Sequence, residues 1–259
     1  MPLPRSLLPL FLATAVLVAP GPTAATATAA AADTGTETAR TTRQIAPGVR
    51  LRSFDRLEHD RWLRVDELDV DLDTPGVRAE YLGGPLPATV ADSAARHPAG
   101  PGRRAAAAVN GDFFDIRGTG APLGPGIRDG RLLHAPAPGA GPAAGFGPDG
   151  AGEVLFLGLA GTVTLPGDAG AHPLAGYNTA KPPAEGYLAY TADWTWGPLP
   201  AAGPGPAAAA DVRDGQVAAV RPPAPWTPPG PGTTVLVGRG AAAARVAALR
   251  PGDPVTLAP

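Results

Sequence analysis

Asp112 and Asp115 are the residues of this chain whose type and spacing best suit acid–base chemistry. They lie in "VNGDFFD", residues 109–115, directly behind an Asn-Gly pair. Three residues of extended chain set their Cα atoms about 10 Å apart, and a turn brings them closer. Two carboxylates at that range can serve a hydrolysis. The same pair suits a local role, in which Asp115 caps the loop and Asp112 accepts from nearby backbone N–H groups. Asn110-Gly111 reads as a tight turn with left-handed backbone. The alanine run before it reads as a buried strand. Phe113 and Phe114 read first as core residues, with a ligand-stacking face as the alternative.

Other chemistries find little support. The four histidines, His59, His97, His134 and His172, show no metal-ligand spacing, and cysteine is absent. Neither a zinc site nor a disulfide is expected, and no cofactor is predicted. No Gly-x-Ser-x-Gly elbow occurs. "LVGRGAAAA" lacks the Gly-Lys-Ser/Thr of a phosphate loop. A net charge of −2 argues against nucleic acid or an anionic membrane as partner.

The surrounding segments read as strands. The 259 residues suffice for one large domain or two small ones. Gly (35) and Pro (34) exceed a quarter of the chain, yet 44% of residues are hydrophobic and patterned, which favours a folded domain with stiff loops. Residues 48–57 and 60–82 alternate apolar and polar, with a phase slip between Val65 and Leu68 that predicts a bulge or turn. Asp129-Gly130, Asp149-Gly150 and Asp214-Gly215 predict hairpins. Further strands are expected in "GTVTL", "GYLAYTADW", "TTVLVGRG" and "PVTLA", and helices in 87–98 and 241–253. The class is α+β: a mixed, mainly antiparallel sheet, rich in hairpins, with few helices.

The N-terminus carries an export signal. Arg5 is the charged start, residues 6–19 are an apolar core too short to span a bilayer comfortably, and Ala-x-Ala cleavage patterns follow. The expected division is a signal peptide at 1–29, a disordered tether at 30–45 and a domain at 46–259. The expected location is secreted or cell-surface, with no membrane contact after cleavage. Oligomeric state is not legible.

Four blocks resemble the phosphodiester glycosidase family, that of N-acetylglucosamine-1-phosphodiester α-N-acetylglucosaminidase. They are "AVNGDFFD", "GAPLGPGIRDGRLL", "AAGFGPDG" and "LAGYNTAKPPAEGYLAYTADW". The resemblance runs from about Gly48 to the end. The family's Asp-Gly-Gly-Gly-Ser turn has no counterpart here, which predicts a domain truncated at its C-terminus. The resemblance implies hydrolysis of a sugar C1–O bond to phosphate, on a carbohydrate-phosphate substrate of cell-wall or capsular type. Asp112 and Asp115 are then the catalytic candidates. Asn110, Gly111, Phe113, Gly124, Arg128 and Asn178 are the substrate-binding candidates, Asn110 through its amide and Arg128 as a phosphate partner. Gly120, Gly124 and Gly126 would let backbone N–H groups approach phosphate. Trp194, Trp196 and Trp226 suit either a sugar-stacking rim or packing beneath proline-rich chain. A non-catalytic glycan-binding or surface module is the alternative function.

Overall fold

The computed structural model describes residues 35–83, 88–97, 99–200 and 203–259. The expected signal peptide lies outside them. Among the described residues no helix is long and apolar enough to cross a membrane. The chain is sheet-rich, with antiparallel strands dominant and two helices among the described residues.

The first sheet is an antiparallel meander of β1 (Thr36–Ala46), β2 (Val49–Leu57) and β3 (Trp62–Val70). Most of the segment expected as a tether is therefore strand β1. Its β-branched threonines fit a pleated ladder, and β2 supplies the partner that composition alone does not reveal. The bulge expected between Val65 and Leu68 is not there. The β2–β3 register runs unbroken from Val49↔Val70 to Leu57↔Trp62. The apolar residues simply change faces, and the irregular pairing falls on the β1–β2 side.

Thr89 caps the short helix α1 (Val90–Arg96), its side chain accepting from Asp92 N. Three Asp-Gly pairs make three hairpins. They join β4 (Gly126–Arg128) to β5 (Arg131–His134), β6 (Ala143–Phe146) to β7 (Gly152–Leu155), and β11 (Ala207–Arg213) to β12 (Gln216–Val220). Asp129 and Asp214 take the left-handed backbone, with φ of 50° and 48°.

The second sheet has seven strands. The others are β8 (Thr162–Thr164), β9 (His172–Tyr177), β10 (Gly186–Tyr190), β13 (Thr234–Arg239) and β14 (Thr256–Ala258). Their order is β12-β11-β13-β10-β9-β8-β14, antiparallel except for the parallel β9–β10 pair. The run "VLV" in β13 is apolar on both faces because both are covered. Leu236 packs with Val163, Leu174, Val255 and Val246 of α2 (Ala241–Ala247). Val235 and Val237 face Leu188, Tyr190, Trp194 and Trp226.

This sheet curls until its ends meet. Val255 N–H donates to Gly215 O at 2.8 Å and Val217 N–H to Asp253 O at 2.9 Å, tying the chain just before β14 to the start of β12. β14 itself pairs with β8 at the opposite end of the strand order. Val255 is buried and its N–H is satisfied, so it presents no unpaired, aggregation-prone edge.

Candidate functional site

The alanine run 105–108 and the residues after it form no strand, contrary to expectation. Small side chains supply little apolar area, so nothing there drives a central strand position. Neither Asn110 nor Gly111 adopts a positive φ, so the left-handed Asn-Gly turn is absent. Phe113 is 85% exposed and Phe114 44%, so neither is a core residue.

What organises this stretch is a folded-back loop. Phe114 and Pro122 form an isolated bridge. Asp115 N–H donates to Ala121 O at 2.9 Å and Leu123 N–H to Phe113 O at 2.9 Å. Asp115 Oδ2 accepts from Thr119 N at 2.9 Å and from the Thr119 hydroxyl at 3.3 Å, closing the loop tip. Asp112 Oδ2 accepts from Gly124 N at 2.7 Å, fastening the loop's base. The two carboxylates thus hold different parts of one loop.

The loop base delivers the chain into β4, and β4 and β5 form one wall of a cleft of about 220 Å³. Arg128, Leu133, His134, Tyr81, Asp193 and Trp196 line it, among others. His134 is its best-fixed member. The ring is buried, with Tyr81 Oη 2.7 Å from Nε2 and the Trp196 ring edge-on at 6.1 Å. Only glycine fits at Gly126, because a Cβ there would stand 2.1 Å from His134 Nε2. Burial pulls His134 below its ordinary pKa, with the Gly124 backbone and the Asp112 charge acting the other way. Burial also pushes the Tyr81 phenol up to about 12, reinforced by Asp112 and opposed by Arg128. Asp112 therefore acts electrostatically on both members of the pair. Arg128 Nε and His134 Nδ1 are buried without a hydrogen-bonding partner. Arg131 and Asp193 form an ion pair beside the cleft, at 2.5 Å.

Of the residues singled out in the sequence, Arg128 lines this cleft, and Asp112 and Gly124 are coupled to it. Asp115, Asn110, Gly111 and Phe113 are not among its lining residues. Asn178 is not a ligand-facing residue. It is buried, with Nδ2 donating to Leu133 O at 2.7 Å and Thr191 Oγ1 at 2.9 Å, while Oδ1 accepts from Thr191 N at 2.8 Å. Its amide is fully used in pinning the backbone beside His134. Trp194 and Trp226 are core, their indole N–H groups donating to Gly197 O and Pro222 O, and only Trp196 reaches the cleft. Tyr81 and His134 were missed. The one available signal was a histidine closing the apolar strand "RLLH", a polar group where the pattern calls for a buried one.

Among the described residues no group of three or more His, Asp or Glu is gathered as a metal site. No protein-family model matches the chain. No curated protein matches it either. The chain is similar in fold to a solved structure described as a "putative exported protein" from Burkholderia pseudomallei K96243, with 21% identity and a TM-score of 0.53. The similarity covers 81% of this chain and 46% of that one, so the chain spans about half the length of its structural neighbour.

Proposed function

We propose that this chain is an exported hydrolase of sugar-1-phosphodiester linkages in cell-wall or capsular polymers, of the phosphodiester glycosidase type. The observation that carries the reading is the convergence of Arg128, Tyr81, His134 and Trp196 on one cleft, with the Asp112 charge acting on Tyr81 and His134. An arginine with an unpartnered buried Nε offers charge to a phosphate. Trp196 offers an apolar ring to a sugar face. Asp112, fixed through Gly124, offers negative charge to an oxocarbenium-like transition state without having to reorganise. Asn110, Gly111 and Phe113 belong to the loop that Asp112 fastens and would flank an extended polymer. Export is supported by the N-terminal signal and by the kind of protein the structural neighbour is described to be. The finer α+β class is supported by α2 packing on β11 and β13.

The test is turnover of a panel of sugar-1-phosphodiesters. Asp112→Asn should lower kcat by about 10²–10⁴-fold if the carboxylate acts on the reacting atoms. Asp115→Asn separates two roles. Its hydrogen bonds to Thr119 favour a loop-closing role, so a lowered melting temperature with kcat retained is expected. Unchanged turnover in Asp112→Asn would sink the assignment.

One observation favours the second reading, a non-catalytic glycan-binding module. Val109, Phe113 and Ile116 are exposed together on the loop, at 72%, 85% and 77%. Glycan binding abolished by Phe113→Ala, without turnover by the unaltered protein, would select that reading.

A further inference from the structure

A phosphate leaving group departs as a stable anion and needs no proton. The demand in the cleft lies on the other side, where a water must lose one. Asp112 has one oxygen committed to Gly124 N–H, and its role above is electrostatic. On the hydrolase reading, we propose that Tyr81 is the catalytic base of this cleft and that His134 is the positioning residue that takes over the Tyr81 proton.

The geometry places the two groups within range for proton transfer. Tyr81 Oη and His134 Nε2 are 2.7 Å apart, within range for a short hydrogen bond. At neutral pH both groups are uncharged, because burial raises the phenol and lowers the imidazole. A neutral imidazole has one donor and one acceptor nitrogen. Transfer requires the tautomer in which Nε2 accepts from the Tyr81 hydroxyl and Nδ1, which has no hydrogen-bonding partner, carries the ring proton. The Tyr81 oxygen then keeps lone pairs for a water in the cleft it lines.

The step balances. Water gives a proton to Tyr81 Oη as Tyr81 gives its own to His134 Nε2. The hydroxide formed makes the new bond to the sugar C1. The C1–O bond to phosphate breaks, and its electron pair leaves on the phosphate oxygen beside Arg128. The imidazolium returns its proton through Tyr81 to solvent. Asp112 is the charge that supports the transient imidazolium, and Arg128 is the cation that acts on the Tyr81 phenol from the same cleft. Arg131 and Asp193, beside them, largely cancel.

The fold spends several contacts on keeping this ring still. Gly126 leaves room for it, Trp196 blocks one side, and Asn178 pins the Leu133 carbonyl next to it. Ala135 N–H donates to Tyr177 O at 2.8 Å on the other side. Catalytic side chains need such fixed neighbours.

The experiment uses the full chain, the methyl diester of glucose 1-phosphate within the substrate panel, and imidazole ¹⁵N NMR. Wild type should show His134 as the neutral Nδ1–H tautomer, with the Nε2 resonance moving in Tyr81→Phe. Tyr81→Phe should lose about 10²–10⁴-fold in kcat with KM nearly unchanged. The acid limb of the wild-type rate profile should fall below the ordinary histidine range and follow the NMR titration of His134. His134→Gln, which keeps an acceptor, should lose that limb while the melting temperature stays near wild type. A proton found on Nε2, or full turnover in Tyr81→Phe, overturns the base role alone. A wild-type protein inactive on the whole panel overturns the hydrolase reading, and the base role falls with it.

Discussion

The three-stranded and the seven-stranded sheet of this protein are held by different forces. In the seven-stranded sheet, Leu188, Val235, Leu236 and Val237 are fully buried. In the three-stranded sheet, only Val49 and Phe54 are buried. That sheet instead carries charge across its strands. Arg50 and Arg52 meet Asp69 at 2.8 Å and 3.0 Å, and Arg64 meets Asp55 at 3.0 Å. Buried apolar area is worth about 25 cal/mol per Å², whereas an exposed ion pair contributes about 0–1 kcal/mol. The closed sheet is therefore the stable body of the molecule, and the meander owes its order mostly to its ladder. The cleft stands on hairpin β4–β5, and its anchors, Asn178 and the Tyr177 carbonyl, come from the closed sheet.

The largest effect should come from Leu236→Ala. It removes a fully buried side chain packed against strands and helix alike, and should cost about 2–5 kcal/mol in urea unfolding. Leu63→Ala in the meander, where the side chain is only half-buried, should cost well under half as much. Equal costs would show that the meander is held by apolar burial as much as the seven-stranded sheet is.

Asn178→Ala should come next. It strands the Leu133 carbonyl and the Thr191 N–H in the interior, and each buried unsatisfied group costs about 1–3 kcal/mol. It should also loosen His134, visible as broadening of the ring's NMR signals. A loss of stability with an unmoved His134 spectrum would disconnect the closed sheet from the cleft.

Asp168 accepts from Arg245 of α2, from Leu165 N and from His172, and these bonds, Arg245 first, hold its carboxyl at about 2, below the ordinary 3.8. A depressed carboxyl stabilises the fold fully above about pH 4, and the contribution is lost as pH falls toward 2. Asp168→Asn should flatten the stability profile across that window. An unchanged acid limb would show that the clamp between α2 and the sheet contributes nothing.

The smallest effect belongs to Asp69→Asn. It removes a partner shared by Arg50 and Arg52, yet should cost no more than about 1 kcal/mol, shrinking further in salt. A larger, salt-independent loss would mean that the meander is held by more than its ladder.

Local conformations follow from residues near in the chain. Asp129-Gly130, Asp149-Gly150 and Asp214-Gly215 mark hairpins because a tight turn needs positive φ, and few residue pairs supply it. "TTVLVGRG" reads as a strand because β-branched residues run together, and the alanine run at Ala241 reads as a helix, which ends at Ala247, four residues before the Pro251-Gly252 expected to stop it. What those pieces meet depends on packing between distant segments. β1 is a strand because β2 lies beside it, and its own composition reads as tether. The 105–108 run is not a strand because no neighbour takes it. Asp112 and Asp115 stand three residues apart in the chain, yet one fastens the loop at Gly124 and the other closes its tip at Thr119. Tyr81 and His134 are separated by 53 positions in the chain and joined at 2.7 Å. Turns and periodicity arise from forces between residues near in sequence, so they can be read there. A cleft arises from long-range burial, which depends on how every element packs at once.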